Sequence, residues 1–255
     1  MIILLSPSKT LETAQTNIES NELPVFYNDA VRLNNLLKQL SVPDLRSLMQ
    51  VSEALAQKTY EKIHGFDDHF APKSVRPAVM CFKGEVYQGL RASAWTIEDL
   101  SWAQKHLRIL SGLYGILKPL DKMQDYRMEM GTPLMTPKGS GLYAYWKDRV
   151  ANQLIQDLHD HTSRFIINLA SQEYFRVVEP YMGEVKVFTP EFKINKAGNL
   201  SFSSFHAKQA RGLLAAFIIQ NRIKHPEDML VFNEGGFEFE SEFSDNNKWV
   251  FVKYK

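Results

Sequence analysis

Two short apolar runs constrain this chain more than any other feature of its sequence. Phe165 to Leu169, within "FIINLA", reads as a buried strand, and "IILL" (Ile2 to Leu5) reads as another. A buried strand needs a layer of structure on each side, so these runs point to an α/β arrangement. In such layers, ligands are usually held at the carboxyl ends of the strands. Both runs end in polar residues. Ser6, Ser8, Lys9 and Thr10 follow the first, and Asn168, Ser171, Gln172 and Glu173 stand at or just beyond the end of the second. A site is expected there.

The other elements are mixed in order. A polar loop runs through about residue 24, and apolar residues recur at helical spacing between Tyr27 and Leu40. Pro43 and Asp44 open a new helix. Ala78 to Phe82 reads as a strand, and a helix-rich segment follows from about Ile97 to Leu110, ending near Gly112 and Gly115. Residues 142 to 158 read as a helix. Two β-like runs, "EVKVFTPEFKI" and "GNLSFSSF", are joined by the turn residues of "NKAGN" and precede a helix from about Ala207 to Arg222. Near the end, "FEFESEF" and "WVFVKY" alternate as the arms of a hairpin joined by "SDNNK". One solvent-facing strand surface accounts for Glu238, Glu240 and Glu242 without a metal.

With 255 residues and no repeat or long linker, the chain is expected to form one integrated domain over 1–255. Thirty basic residues against 29 acidic ones exclude the general cationic field of a strongly basic nucleic-acid binder. Any polyanion site must come from local clustering. The single cysteine, Cys81 in "AVMCF", reads as a small buried hydrophobe rather than a peroxide-sensing thiol, and fits a reducing cytosol. The apolar start is too short for a signal peptide or membrane span, so a soluble, cytoplasmic protein is expected. The seven histidines are scattered, with His159 and His161 expected to face solvent, and no metal or cofactor is anticipated.

Five stretches carry residues suited to an anionic partner. "LLSPSKT" offers hydroxyls, backbone N–H groups and Lys9, without the glycines of a P-loop. "CFKGEVYQGL" places Lys83 and Gly84 after an apolar run. "LRILSGLYGILKPLDKMQDYRMEMG" clusters Arg108, Lys118, Lys122 and Arg127 with Tyr114 and Tyr126, suited to gripping phosphates and stacking bases, or to complementing a helix dipole. In "SFHAKQARGLLAAFII", Lys208 and Arg211 share a face in the first turns of a helix, where cations oppose the dipole. Val42 to Ile63 resembles a helix-hairpin-helix motif, with Arg46, Lys58 and Lys62 as its basic side chains. Its connection lacks the motif's glycines, and an ordinary helical hairpin is the competing reading.

Together, "LLSPSKT", "FKGEVYQGL", "LRILSGLYGILKPLD", "YRMEMGT", "LYAYW", "INLASQEYF" and "AKQARGLLAAFII" resemble, in order and over essentially the whole chain, the YaaA peroxide stress-response family. The resemblance implies an α+β fold, a single mixed domain of unusual architecture with a helix-hairpin-helix element and a positively charged cleft. It further implies a cytosolic bacterial protein that binds DNA and limits DNA damage and harmful free iron during hydrogen peroxide stress. Lys9, Lys83, Arg108, Arg127, Asn168, Ser171, Glu173, Lys208 and Arg211 lie in the matching blocks and are the expected cleft lining. The partner is then DNA, bound by structure more than by sequence, or a phosphorylated small molecule. Glu173 keeps a second reading open, in which it is the general acid or base of an enzyme acting on a nucleotide, a nucleobase or damaged DNA.

Overall fold

In the computed structural model, which describes residues 1–12, 16–20, 22–71, 74–245 and 248–255, the strand Ile2–Leu5 is the centre of the main sheet. It pairs in parallel with Phe165–Asn168 on one side and with Leu107–Ser111 on the other, so that Leu4 lies opposite both Asn168 and Arg108. Lys186–Phe188 extends the parallel set, and Gly115–Leu117 turns back antiparallel at the far edge. Every residue of the three central strands is buried, which is why their sequences lack alternation. Their carboxyl ends emerge together on one side of the sheet.

A second, four-stranded sheet is built from later residues. Glu191–Lys196 pairs antiparallel with Asn199–Ser201 and parallel with Val250–Tyr254, which in turn takes Glu238–Phe239 antiparallel. The first of these hairpins turns through Ala197 and Gly198, both at positive φ (49° and 87°), the conformation that matches the twist of paired strands. The expected final hairpin exists, although its first arm is short and residues 246–247 of its connection lie outside the described residues.

The helix Ser204–Gln220 packs on the second sheet through Glu191–Lys196, burying Ala207, Ala210, Leu214, Ile218 and Ile219. It crosses the short helix Glu85–Leu90 at backbone contact distance. Two glycines make this possible. A Cβ at Gly212 would overlap the carbonyl oxygen of Val86, and one at Gly89 would overlap that of Gln209. The core is otherwise continuous from Met1 to Phe251. Among the described residues, no helix is long and apolar enough to cross a membrane.

Two sequence expectations are corrected. Ala78–Cys81 is a helical turn, and only Phe82–Lys83 is extended, pairing with Thr10–Leu11. A short apolar run suits a buried turn of helix as well as a buried strand, and periodicity cannot separate the two. The segment expected to be helix-rich to Leu110 is helical only over Ile97–His106, after which Leu107–Ser111 becomes the strand beside Ile2–Leu5. Cys81 is fully buried, with its thiol directed to the carbonyl of Pro77 at 3.3 Å, and burial pushes its pKa up to about 12.

One buried carboxyl gives the fold a pH dependence. Asp121 is 3% exposed, and its Oδ2 accepts a hydrogen bond from the Lys118 N–H at 2.8 Å. Burial nevertheless pushes its pKa up to about 7. The folded state therefore holds a proton that the unfolded chain releases near the ordinary carboxylate value. The stability this supplies is complete below about pH 4 and is lost as pH rises through about 7. Asp121→Asn keeps an acceptor for Lys118 and has no charge to bury. Its stability relative to wild type is expected to grow between pH 5 and pH 8 by an amount on the order of a few kcal/mol, read by urea unfolding. A constant difference across that range would count against the assignment.

Candidate functional site

The loop that leaves the central strand is tied to the neighbouring strand end. Ser6 Oγ accepts a hydrogen bond from the Ser171 N–H at 2.8 Å and donates to Ser171 Oγ at 3.2 Å. Tyr87, from the 85–90 helix, donates its hydroxyl to the Ser6 carbonyl at 2.9 Å. Gly84 has φ of 124°, and a Cβ there would come 3.0 Å from Ser8 Oγ, so glycine lets the start of that helix lie against the loop. These contacts form one wall and the floor of a cavity of about 340 Å³. The 204–220 helix supplies the other wall with Lys208 and Arg211, placed by the glycine crossing.

Arg211 makes no hydrogen bond or ion pair among the described residues. Burial holds its guanidinium below its ordinary pKa, against the field of Glu191. Lys208 is exposed and also free of such partners among the described residues. Glu85 and Glu173 face the same space, so the cavity is charged but mixed in sign.

Lys9 lies at the rim, its ammonium 2.6 Å from Glu129, and Glu129 also receives Arg127 at 3.3 Å. This chain of charges leads to a neighbouring cavity of about 300 Å³, lined by Arg127, Glu129 and Glu173 together with Leu48, Met49 and Gln50. Glu173 thus belongs to both spaces, its carboxylate accepting from the Gly131 N–H at 3.4 Å and its carbonyl from Tyr143 at 2.8 Å. Arg127 Nε is buried with no hydrogen-bond partner among the described residues.

The helical hairpin reaches this second cavity through its connection. Val42–Met49 starts with a capping box of Ser41 and Asp44, and Glu53–His64 is capped by Ser52. Without glycine, the connection bends at Gln50, which takes a left-handed φ of 51° and lines the cavity. Arg46 and Lys58 are exposed, with no ion-pair partner among the described residues. Lys62 lies 4.0 Å from Asp125, which also holds Arg76, so its ammonium is tied to the body of the protein.

Of the expected cleft residues, the structure gathers Lys9, Ser171, Glu173, Lys208 and Arg211 around the first cavity and Arg127 at the second. Three stand elsewhere. Lys83 leaves the Thr10 pairing towards Glu12, with which it forms an ion pair at 3.2 Å. Asn168 is buried, and its Oδ1 accepts from the Ala170 N–H at 3.1 Å, so it shapes the strand end rather than lining the space. Arg108 is buried two residues into its strand, where it pairs with Asp157 at 2.6 Å and donates to the carbonyls of Gln104 and Leu107. That places it beside Met1 and His106, away from the carboxyl ends. His161 is also corrected: its ring lies 4.5 Å from that of His106, and burial lowers the pKa of both imidazoles.

A model of the family described as peroxide stress protein YaaA matches residues 1–243. The chain belongs to the YaaA family. A UPF0246 protein from Ruegeria pomeroyi is 40% identical to it over 253 residues, covering 99% of this chain and 98% of that protein. In this YaaA family member, sequence reasoning missed Glu85, Glu129 and the pair Gly89 and Gly212. Gly212 did carry a signal, since it interrupts the helix expected from Ala207 to Arg222 without ending it, which points to a close backbone approach; Gly89 lies in a stretch that was not read as helical.

Proposed function

We propose that this YaaA family member acts in the cytoplasm during hydrogen peroxide stress by binding DNA, and that occupancy of DNA limits damage and the harm done by free iron. The observation that carries this reading is the hairpin. Arg46 and Lys58 offer two exposed cations with no ion-pair partner among the described residues, on a pair of helices whose connection lines the second cavity. Cations of that kind exchange water and counterions for phosphates, whereas Lys62 is already engaged with Asp125. Contacts through the backbone and side-chain charges would make binding depend on DNA structure more than on sequence.

The test is fluorescence anisotropy with plain, gapped and bent duplexes over a salt series. Arg46→Ala combined with Lys58→Ala is expected to reduce the slope of log K against log salt by about two, one for each lost phosphate contact. If wild type fails to bind any of these duplexes at low ionic strength, the DNA-binding reading is withdrawn.

A further inference from the structure

We infer that the cavity at the strand ends is a separate binding site for a small phosphate monoester that also carries hydroxyl or amino groups, as sugar phosphates and nucleoside monophosphates do. This inference does not depend on DNA binding at the hairpin. The cavity, at about 340 Å³, lies in the range of small-molecule sites and is too confined for a double helix. Its lining is mixed in charge, and Lys9 at the rim is already paired with Glu129. Arg211 and Lys208 stand one turn apart on the same helix face. Arg211 is partly withdrawn from water with its donors uncommitted, a costly state that a phosphate relieves by accepting two parallel N–H bonds.

Glu85 and Glu173 line the same space, where they repel a second phosphate and accept hydrogen bonds from hydroxyl or amino groups. A continuous nucleic-acid backbone has charge at both ends of such a space. A monoester has it at one end only. Ser171, held against Ser6, lines the same space and brings a hydroxyl that can bond the ligand.

The test is calorimetric titration of the full chain with inorganic phosphate, ribose 5-phosphate and AMP, with ribose and adenosine as controls. Wild type is expected to bind at least one ester, and to bind it more tightly than inorganic phosphate. Arg211→Gln and Lys208→Gln should each weaken that ester by about tenfold or more. Glu85→Gln or Glu173→Gln should narrow the preference for the ester over inorganic phosphate. Lys208 is exposed, so its variant remains informative if Arg211→Gln folds poorly. The Arg46→Ala/Lys58→Ala protein should bind the ester as wild type does, which separates this inference from the DNA reading. Tighter binding of AMP than of ribose 5-phosphate assigns the base to the site, and the reverse assigns a sugar phosphate. No binding by either ester, unchanged affinity in both cation variants, or no preference for an ester over inorganic phosphate would each overturn the inference.

Discussion

Gly212→Ala is expected to cost about 3 kcal/mol of stability, lowering the melting temperature by roughly 6 to 12 °C in a chain of this length. The added methyl would overlap the carbonyl of Val86 and crowd the N–H of Leu90, and backbone atoms in a helix cannot swing aside as a side chain can. Relief requires the 204–220 and 85–90 helices to separate. That movement carries Lys208 and Arg211 away from Ser6 and Ser171, so the ester binding inferred for the cavity should fall together with stability. Gly89→Ala presses on the same crossing from the other helix, and the double variant should cost less than the sum of the two, because one separation relieves both. Thermal unfolding of the two single variants and the double variant checks this. An unchanged melting temperature for Gly212→Ala would mean that the helices do not cross as closely as described.

Arg108→Ala should be equally damaging for a different reason. Arg108 and Asp157 have side chains only 5% and 11% exposed, and removing the guanidinium strands a carboxylate in the interior. Breaking a buried pair by removing one partner typically costs about 3 to 5 kcal/mol. The loss should appear in urea unfolding, while the proposed DNA binding and its salt dependence, at temperatures where the variant is folded, should stay those of wild type. A variant of normal stability with weakened binding would return Arg108 to the cleft.

The contrast between Arg108 and Arg211 shows how far the site was legible in the sequence. Both are arginines in blocks that match the family, and both were expected in the cleft lining. The difference lies in direction: a strand sends successive side chains to opposite faces, and only the paired structure shows which face and which end of the sheet each one meets. Ser171 and Glu173 were readable because they directly follow a buried strand. Lys208 and Arg211 were read as cations in the first turns of a helix from Ala207; the helix starts at Ser204, so they stand in its second and third turns, and the face they share is what brings both to the cavity. Lys83 and Asn168 met the same criteria and failed, one drawn off by Glu12 and the other spent on the backbone at Ala170. Those competitors are invisible until the chain is folded. The fold followed a similar pattern, since Ile2–Leu5 and Phe165–Asn168 were clear, whereas Ala78–Cys81 and Leu107–Ser111 are apolar runs too short for period to decide.

The setting of Cys81 has a consequence for a member of a peroxide stress family. Peroxide attacks thiolates, and a fully buried thiol with a pKa near 12 presents almost none at neutral pH. The methionines are sheltered in the same way: six of the nine are at most 5% exposed, and Met135, at 69%, is the prominent exception. Most of the sulfur in this protein is thereby kept from an oxidant, with Met135 the position most open to attack.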